Sequence, residues 1–258
     1  DNLPTHCYME YLYKYPQQAF PYEQLIAENA KRGHLDPEYE ILDTGVFNDN
    51  RYFDVLITYA KQSAQDIFIK IDITNRYSEA AEITVLPTLW FYNRWQNGSL
   101  KEQPVISQLS KTGVRVLHER LGDYYFYFQP ADKLFFTENE TNTGIVTGTP
   151  STSIFTKDAF NRAIVNGEHT EELSKQKSGT KFSPVYKMKI PGGTTKTIYC
   201  RLCSKPADNP FIAGFADIFS LRKHEADDFY AAILPGNMNE DMARIQGQAL
   251  AGVLWSKQ

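Results

Sequence analysis

The sequence predicts a mainly β protein, an antiparallel β-sandwich followed by two helices. Three observations point there. Tyr and Phe, 16 of each, fall largely in alternating runs, which suits strands better than helices. Several short strand-like segments follow one another with turn residues between them, and no βαβ alternation suggests a parallel sheet. From Phe215 onward the apolar period changes from two to the helical spacing.

After Asp1-Asn2-Leu3-Pro4 comes "THCYMEYLYKYPQQAF", dense in Tyr and ending its extended run at Pro16. "PYEQLIAENAKRG" then predicts a short surface helix, with Pro21 at its first position and Gly33 just past its end. In "DIFIKIDITN" the residues Ile67, Ile69, Ile71 and Ile73 alternate with polar or aromatic neighbours, which puts four isoleucines on one face of a half-buried strand. Residues 75–79 make a turn. "EITVLPTLWFYN" follows as a strand that Pro87 demotes to an edge or bulge. "GVRVLHER", "DYYFYFQ" and "KLFFTE" add strands separated by Gly122-Asp123 and by Pro130-Ala131-Asp132. Residues 137–150 have loop composition, and "KDAFNRAIVNG" predicts a helical turn or two. "FSPVYKMKIPGGTTKTIYCRLCSK" closes the β region as two strands joined at Pro191-Gly192-Gly193, read as a hairpin turn.

Two helices end the chain. "FADIFSLRKHEADDFYAAILPG" places Phe215, Ile218, Phe219, Phe229, Ile233 and Leu234 at helical spacings. Asn239 then caps a second helix, whose stripe runs through Met242, Ile245, Ala249 and Val253. That helix is still apolar at the last residues, and the face of Leu250, Val253, Leu254 and Trp255 predicts a missing partner, as in a truncated chain.

Composition excludes some classes of function. With 27 basic and 31 acidic residues, a net charge of −4 and a pI near 5.8, nothing pulls the chain toward phosphate backbones or anionic membranes, so neither nucleic acid nor membrane is an expected partner. No apolar run approaches the roughly 20 residues of a membrane span. Cys7, Cys200 and Cys203 do not form a disulfide framework and favour a reducing compartment. Cys200-Arg201-Leu202-Cys203 has redox or zinc spacing, yet residues three apart on a strand face opposite sides, and no second pair completes four ligands. His6, His34, His118, His169 and His224 are scattered. No metal site and no cofactor are expected.

Two segments carry candidate chemistry. "VLPTLWFYNRWQNG" sets Trp90, Tyr92 and Trp95 beside Arg94, types that cover the apolar face of a sugar ring and reach its hydroxyls. The same residues pack a strand edge, and on residue types alone packing comes first. "EYEILDTGVFNDNRYFD" holds Asp43, Asp49 and Asp54, which could supply the paired carboxylates of a glycosidase. Asp43-Thr44-Gly45 and Asn48-Asp49-Asn50 are also ordinary turn chemistry, the reading favoured here.

Four blocks, "THCYMEYLYKYPQQAFPYEQLIAENAKRG", "EYEILDTGVFNDNRYFDV", "LPTLWFYNRW" and "QALAGVLWSKQ", together resemble the N-terminal half of bacterial glycosidases similar to glycoside hydrolase family 63, the clan of processing α-glucosidase and mannosylglycerate hydrolase. The resemblance implies a β-sandwich of the super-sandwich type over 1–212, a linker helix over 213–236, and over 237–258 the start of an (α/α)6 catalytic barrel that this chain does not complete. It implies that the acid and base of an inverting mechanism lie in that barrel, so that no position here inherits a catalytic role. The implied partners are the barrel of the same polypeptide and, in the full enzyme, an α-glucoside or α-mannoside; the implied compartment is the bacterial cytoplasm. A second class stays open, a stand-alone carbohydrate-binding module with Trp90, Tyr92, Arg94 and Trp95 as its platform. Exposure discriminates the two: strand alternation sends Trp90 and Tyr92 to one face and Phe91 to the other, and the binding reading gains if Tyr92 and Trp95 are both exposed.

Overall fold

The alternating runs pair as two antiparallel sheets with helices around them. The computed structural model describes residues 1–151, 153–211 and 213–256. The larger sheet runs in the order β1 (Tyr8–Pro16), β2 (Tyr52–Ser63), β3 (Asp66–Asn75), β12 (Thr195–Cys203), β8 (Gly122–Phe128), β7 (Gly113–His118), β6 (Val105–Gln108) and β10 (Ser178–Gly179). The smaller sheet is built on β11 (Lys181–Ile190), which pairs along one edge with β9 (Lys133–Thr137) and along the other with β4 (Ala81–Val85) and β5 (Leu89–Trp90). Val85 pairs with Tyr186 and Leu89 with Phe182 in one continuous register, so β4 and β5 are two halves of a strand interrupted at Pro87. Proline has no N–H for the ladder. The Ser183 hydroxyl donates to the Pro87 carbonyl at 3.1 Å instead.

One apolar cluster joins the sheets. Phe53, Ile71, Ile73, Ile106, Val114, Phe126, Phe128, Ile198 and Cys200 of the larger sheet meet Ile83, Phe136, Phe182, Tyr186 and Ile190 of the smaller. Phe182 sits within it, its ring centroid 4.7 Å from Phe136 and 5.4 Å from Phe128. Each such ring removed from water contributes about 1.5–3 kcal/mol.

The β3 pattern departs from the expected single apolar face. Phe68, on the face opposite Ile71 and Ile73, is fully buried because α5 (Phe215–Ile233) covers it. Phe68 stacks on Phe215 at 5.5 Å, the Arg222 Nε donates to the Lys61 carbonyl at 2.7 Å, and the Tyr230 hydroxyl donates to the Asn2 carbonyl at 2.6 Å. This part of the larger sheet is therefore covered on both faces.

The segment at Pro191-Gly192-Gly193 corrects the hairpin reading. β11 and β12 lie in different sheets, and the turn carries the chain from one to the other. The turn after β3 does the same on its way to β4, and the two crossings touch. Asn75, with no exposed surface, ties them: its Nδ2 donates to the carbonyls of Glu79 (2.8 Å) and Ile190 (2.9 Å), and its Oδ1 accepts from Gln17 Nε2 (2.7 Å) and the Tyr77 N–H (3.0 Å). Gly192 is required here because a Cβ would lie 2.0 Å from the Ser78 carbonyl oxygen.

The remaining elements are smaller. α1 (Tyr22–Asn29) has Pro21 as its cap rather than its first residue, ends with three residues between it and Gly33, and buries none of its side chains. α2 (Thr143–Val146), capped by Asn142, lies in the segment expected to be loop. "KDAFNRAIVNG" forms α3 (Ala159–Asn161) and a π turn at Arg162–Asn166, which with Leu173 of α4 (Thr170–Lys175) pack Phe160 and Ala163 against Phe135 and Val185. α6 (Glu240–Trp255) is capped by Asn239, whose side chain accepts from the Met242 N–H at 2.8 Å. Ala251 faces inward while Met242, Ile245, Ala249 and Val253 are exposed. Leu254 and Trp255 are half-buried, against expectation, since Trp255 meets Tyr11 edge-on at 5.9 Å and its Nε1 donates to the Asp1 carbonyl at 3.1 Å. The expected boundary at 212 and the last two residues, 257 and 258, lie outside the described residues. Among the described residues no helix is long and apolar enough to cross a membrane.

Candidate functional site

The aromatic segment leaves the smaller sheet at β5, and alternation continues one step past the strand. Leu89 and Phe91 turn toward the inter-sheet core, while Trp90 (57% exposed) and Tyr92 (77% exposed) turn to solvent. Within this chain Phe91 packs the inter-sheet core, and Trp90 and Tyr92 do not. The Phe91 N–H donates to the Thr180 carbonyl at 3.1 Å, and Asn139 Nδ2 donates to the Phe91 carbonyl at 2.9 Å, which fixes the backbone under the exposed rings. Asn93 donates to the carbonyl of Asn139 (3.2 Å) and to the Gln96 side chain (2.7 Å), and the Ser99 N–H closes the loop onto the Arg94 carbonyl at 3.0 Å.

Trp95 does not join the other three. It is half-buried on the far side of the loop, its Nε1 3.4 Å from a Glu140 carboxylate oxygen. Arg94 is exposed, its guanidinium 5.5 Å from the Tyr92 ring centroid, and among the described residues no carboxylate pairs with it.

The β7–β8 turn completes a pocket that sequence reading missed. Trp90, Phe91, Tyr92, Arg94 and Leu100 line one side, and His118, Arg120 and Leu121 the other, around a cavity volume of about 390 Å³. His118 lies against Phe91 at 5.4 Å, and its Nδ1 accepts from the N–H groups of Arg120 (3.1 Å) and Leu121 (3.3 Å). Those two bonds place the proton of the neutral imidazole on Nε2. Arg120 Nη2 donates to the Ser99 carbonyl at 3.0 Å, tying the two sides together. The arrangement can stack a ring and donate hydrogen bonds to it. Trp90 also rims an apolar cleft of about 420 Å³ between the sheets, lined by Val55, Ile57, Ile69, Leu86 and Leu202 among others.

The three acidic candidates are each engaged locally. Asp43 closes a capping box on the 3₁₀ turn Ile41–Thr44, accepting from the Glu40 N–H at 2.8 Å. Asp49 sits exposed in the next turn at a positive φ of 56°, 3.9 Å from the Arg51 guanidinium. Asp54 is buried on β2, where Lys14 (2.7 Å) and Arg76 (2.6 Å) each take one of its oxygens. Burial works to raise this carboxyl, but the hydrogen bonds from Lys14 and Arg76 outweigh it and hold the group below its ordinary value. Among the described residues its partners are two basic groups and no second carboxylate, which is ion-pair chemistry rather than acid–base chemistry.

Cys200 is fully buried in the inter-sheet core, and burial pushes its thiol well up. Cys203 hydrogen-bonds the Lys205 carbonyl at 3.2 Å, and both are free thiols. Among the described residues no group of three or more His, Cys, Asp or Glu is placed to hold a metal ion.

No family model matches the chain. The chain is similar to the uncharacterized protein YMR196W of Saccharomyces cerevisiae, 32% identical over an alignment of 304 residues that takes in the whole of this chain. It spans 28% of that protein's length.

Proposed function

We propose that this chain is the non-catalytic β-rich region of a larger glycoside hydrolase acting on α-glucosides or α-mannosides, and that it meets carbohydrate at the pocket of Trp90, Tyr92 and Arg94. The observation that carries the reading is the outward placement of Trp90 and Tyr92 on a backbone held by Asn139 and Thr180. A rigid aromatic surface beside hydrogen-bond donors suits a sugar, whose ring faces are apolar and whose edges are polar. The local engagement of Asp43, Asp49 and Asp54 supports the non-catalytic part, because no two of them share the open site that a glycosidase pair requires.

The proposal includes the domain plan that the family 63 resemblance implies. The two sheets form a sandwich through about residue 212, α5 is the linker, and α6 begins an (α/α)6 barrel in the larger protein. The shared apolar cluster of the sheets supports the first part, and the exposed stripe Met242, Ile245, Ala249 and Val253 supports the last, since a barrel helix needs neighbours on that face. The cytoplasm is the compartment proposed with it, supported by the three free thiols.

A second reading, a stand-alone carbohydrate-binding module, is favoured by the same exposure of Trp90 and Tyr92. Hydrolysis of a panel of α-glucosides and α-mannosides, by this chain and by a longer protein that contains it, separates the readings. Turnover by the longer protein alone is the expected result. Turnover by this chain, abolished by changing Asp43, Asp49 or Asp54, would overturn the proposal. Absence of turnover from both, with binding by this chain retained, would leave the module reading in its place.

A further inference from the structure

We infer that the pocket between the aromatic loop and the β7–β8 turn selects a saccharide carrying an anionic group, a carboxylate or a phosphate ester, over a neutral one. The inference rests on the carbohydrate reading above and narrows its ligand. Hydroxyl groups of a neutral sugar donate as readily as they accept, so a site for them offers acceptors as well as donors. This pocket is one-sided. Its charged and imidazole groups are Arg94, Arg120 and His118, and among the described residues no Asp or Glu lines it.

Each of the three is set to donate. Arg94 has its guanidinium over the Tyr92 ring and is free of any ion pair among the described residues. His118 spends Nδ1 on two backbone N–H groups, which leaves an Nε2–H and no acceptor on the ring. Arg120 gives Nη2 to the Ser99 carbonyl and has Nε 3.6 Å from Glu119, so part of its fork is already in use. The Glu119 carboxylate is in turn taken by the N–H groups of Lys101 (3.0 Å) and Glu102 (3.2 Å), which hold it in the 101–102 turn and out of the pocket lining. Two guanidinium groups and an imidazole N–H beside the Trp90 and Tyr92 rings match a sugar whose edge carries acceptor oxygens with net charge.

The test is a calorimetric titration of the intact chain, at fixed ionic strength, with α-linked trigalacturonate, its neutral methyl ester, glucose 6-phosphate, glucose and inorganic phosphate. Trigalacturonate, glucose 6-phosphate or both should bind at least about tenfold more tightly than the matched neutral sugar, and the arm that does so tells carboxylate from phosphate ester. Arg94→Gln should remove that difference, and because Arg94 is exposed and has no ion pair among the described residues the variant should fold as the parent does. Equal affinity for the charged and neutral members of both pairs would overturn this inference and leave the carbohydrate reading standing. Inorganic phosphate binding as tightly as the charged sugars would also overturn it, since the rings would then contribute nothing. Binding of none of the sugars would overturn this inference; the carbohydrate reading falls only if α-glucosides and α-mannosides fail to bind as well.

Discussion

Asn75 ties together the two crossings between the sheets, and replacing it should be correspondingly costly. Its amide makes four hydrogen bonds, two donated and two accepted, which is its full capacity, at a site with no exposed surface. Asn75→Ala removes all four and leaves the Glu79 and Ile190 carbonyls, the Tyr77 N–H and the Gln17 amide to find other partners. At about 1 kcal/mol per bond, with an added penalty where a group stays unpaired, the loss is about 3–5 kcal/mol, a large part of the roughly 5–15 kcal/mol that holds a domain folded. Asn75→Asp is the sharper probe because it keeps shape. The two accepted bonds survive, but the two donated ones become contacts between oxygens, and the new carboxyl is forced above its usual range. A raised folded-state pKa means that the penalty is smallest in acid, where the protonated group donates again, and grows as pH rises through the folded value. Urea denaturation of the parent and both variants at pH 4 and pH 7 reads this directly. An Ala variant within about 1 kcal/mol of the parent, or an Asp variant whose deficit is the same at both pH values, would show that these four bonds do not hold the crossings together.

Three further outcomes follow from the same geometry. Asp54→Asn should cost about 1–3 kcal/mol at neutral pH and should flatten the acid side of the stability profile, because a carboxyl held below its ordinary value stabilises above about pH 4 and loses that contribution as pH falls; an unchanged acid slope would contradict it. Gly192→Ala should prevent normal folding or cost more than about 3 kcal/mol, since its Cβ meets backbone rather than a flexible side chain, and a circular-dichroism melt at the parent temperature would contradict this. A thiol reagent applied to the native chain should modify the partly exposed Cys7 well before Cys200, which should react only on unfolding; comparable native rates would show that the inter-sheet core opens readily.

Much of the β region was legible in the sequence because its signals are local. The isoleucines of β3, the break at Pro87 and the Asn239 cap each act within a few residues, and each appears where the pattern places it. Phe68 was not legible as a core residue, because the helix that buries it lies more than a hundred positions further along the chain. Pro191-Gly192-Gly193 has the composition of a hairpin turn, and only the pairing of the flanking strands with different partners shows that it passes between sheets. β6 and β10 are too short to give a period. The site was half visible. Trp90, Tyr92 and Arg94 stood out by type, whereas His118 and Arg120 are ordinary residues of a tight turn and join the pocket only through the fold. Trp95 was drawn in by its neighbours in sequence, although the loop turns it to the other side.

Contact of carbohydrate with the rings of Trp90 and Tyr92 is the step on which the proposed function turns. Its most direct test is a titration of the chain with α-linked oligosaccharides, neutral and charged, followed by the fluorescence of its tryptophans and repeated with Trp90→Ala and Tyr92→Ala. Saturable binding by the parent is expected, with a loss of at least about tenfold in each variant and the denaturation midpoint unchanged because both rings are exposed. No binding by the parent, or binding that survives both substitutions, would contradict it.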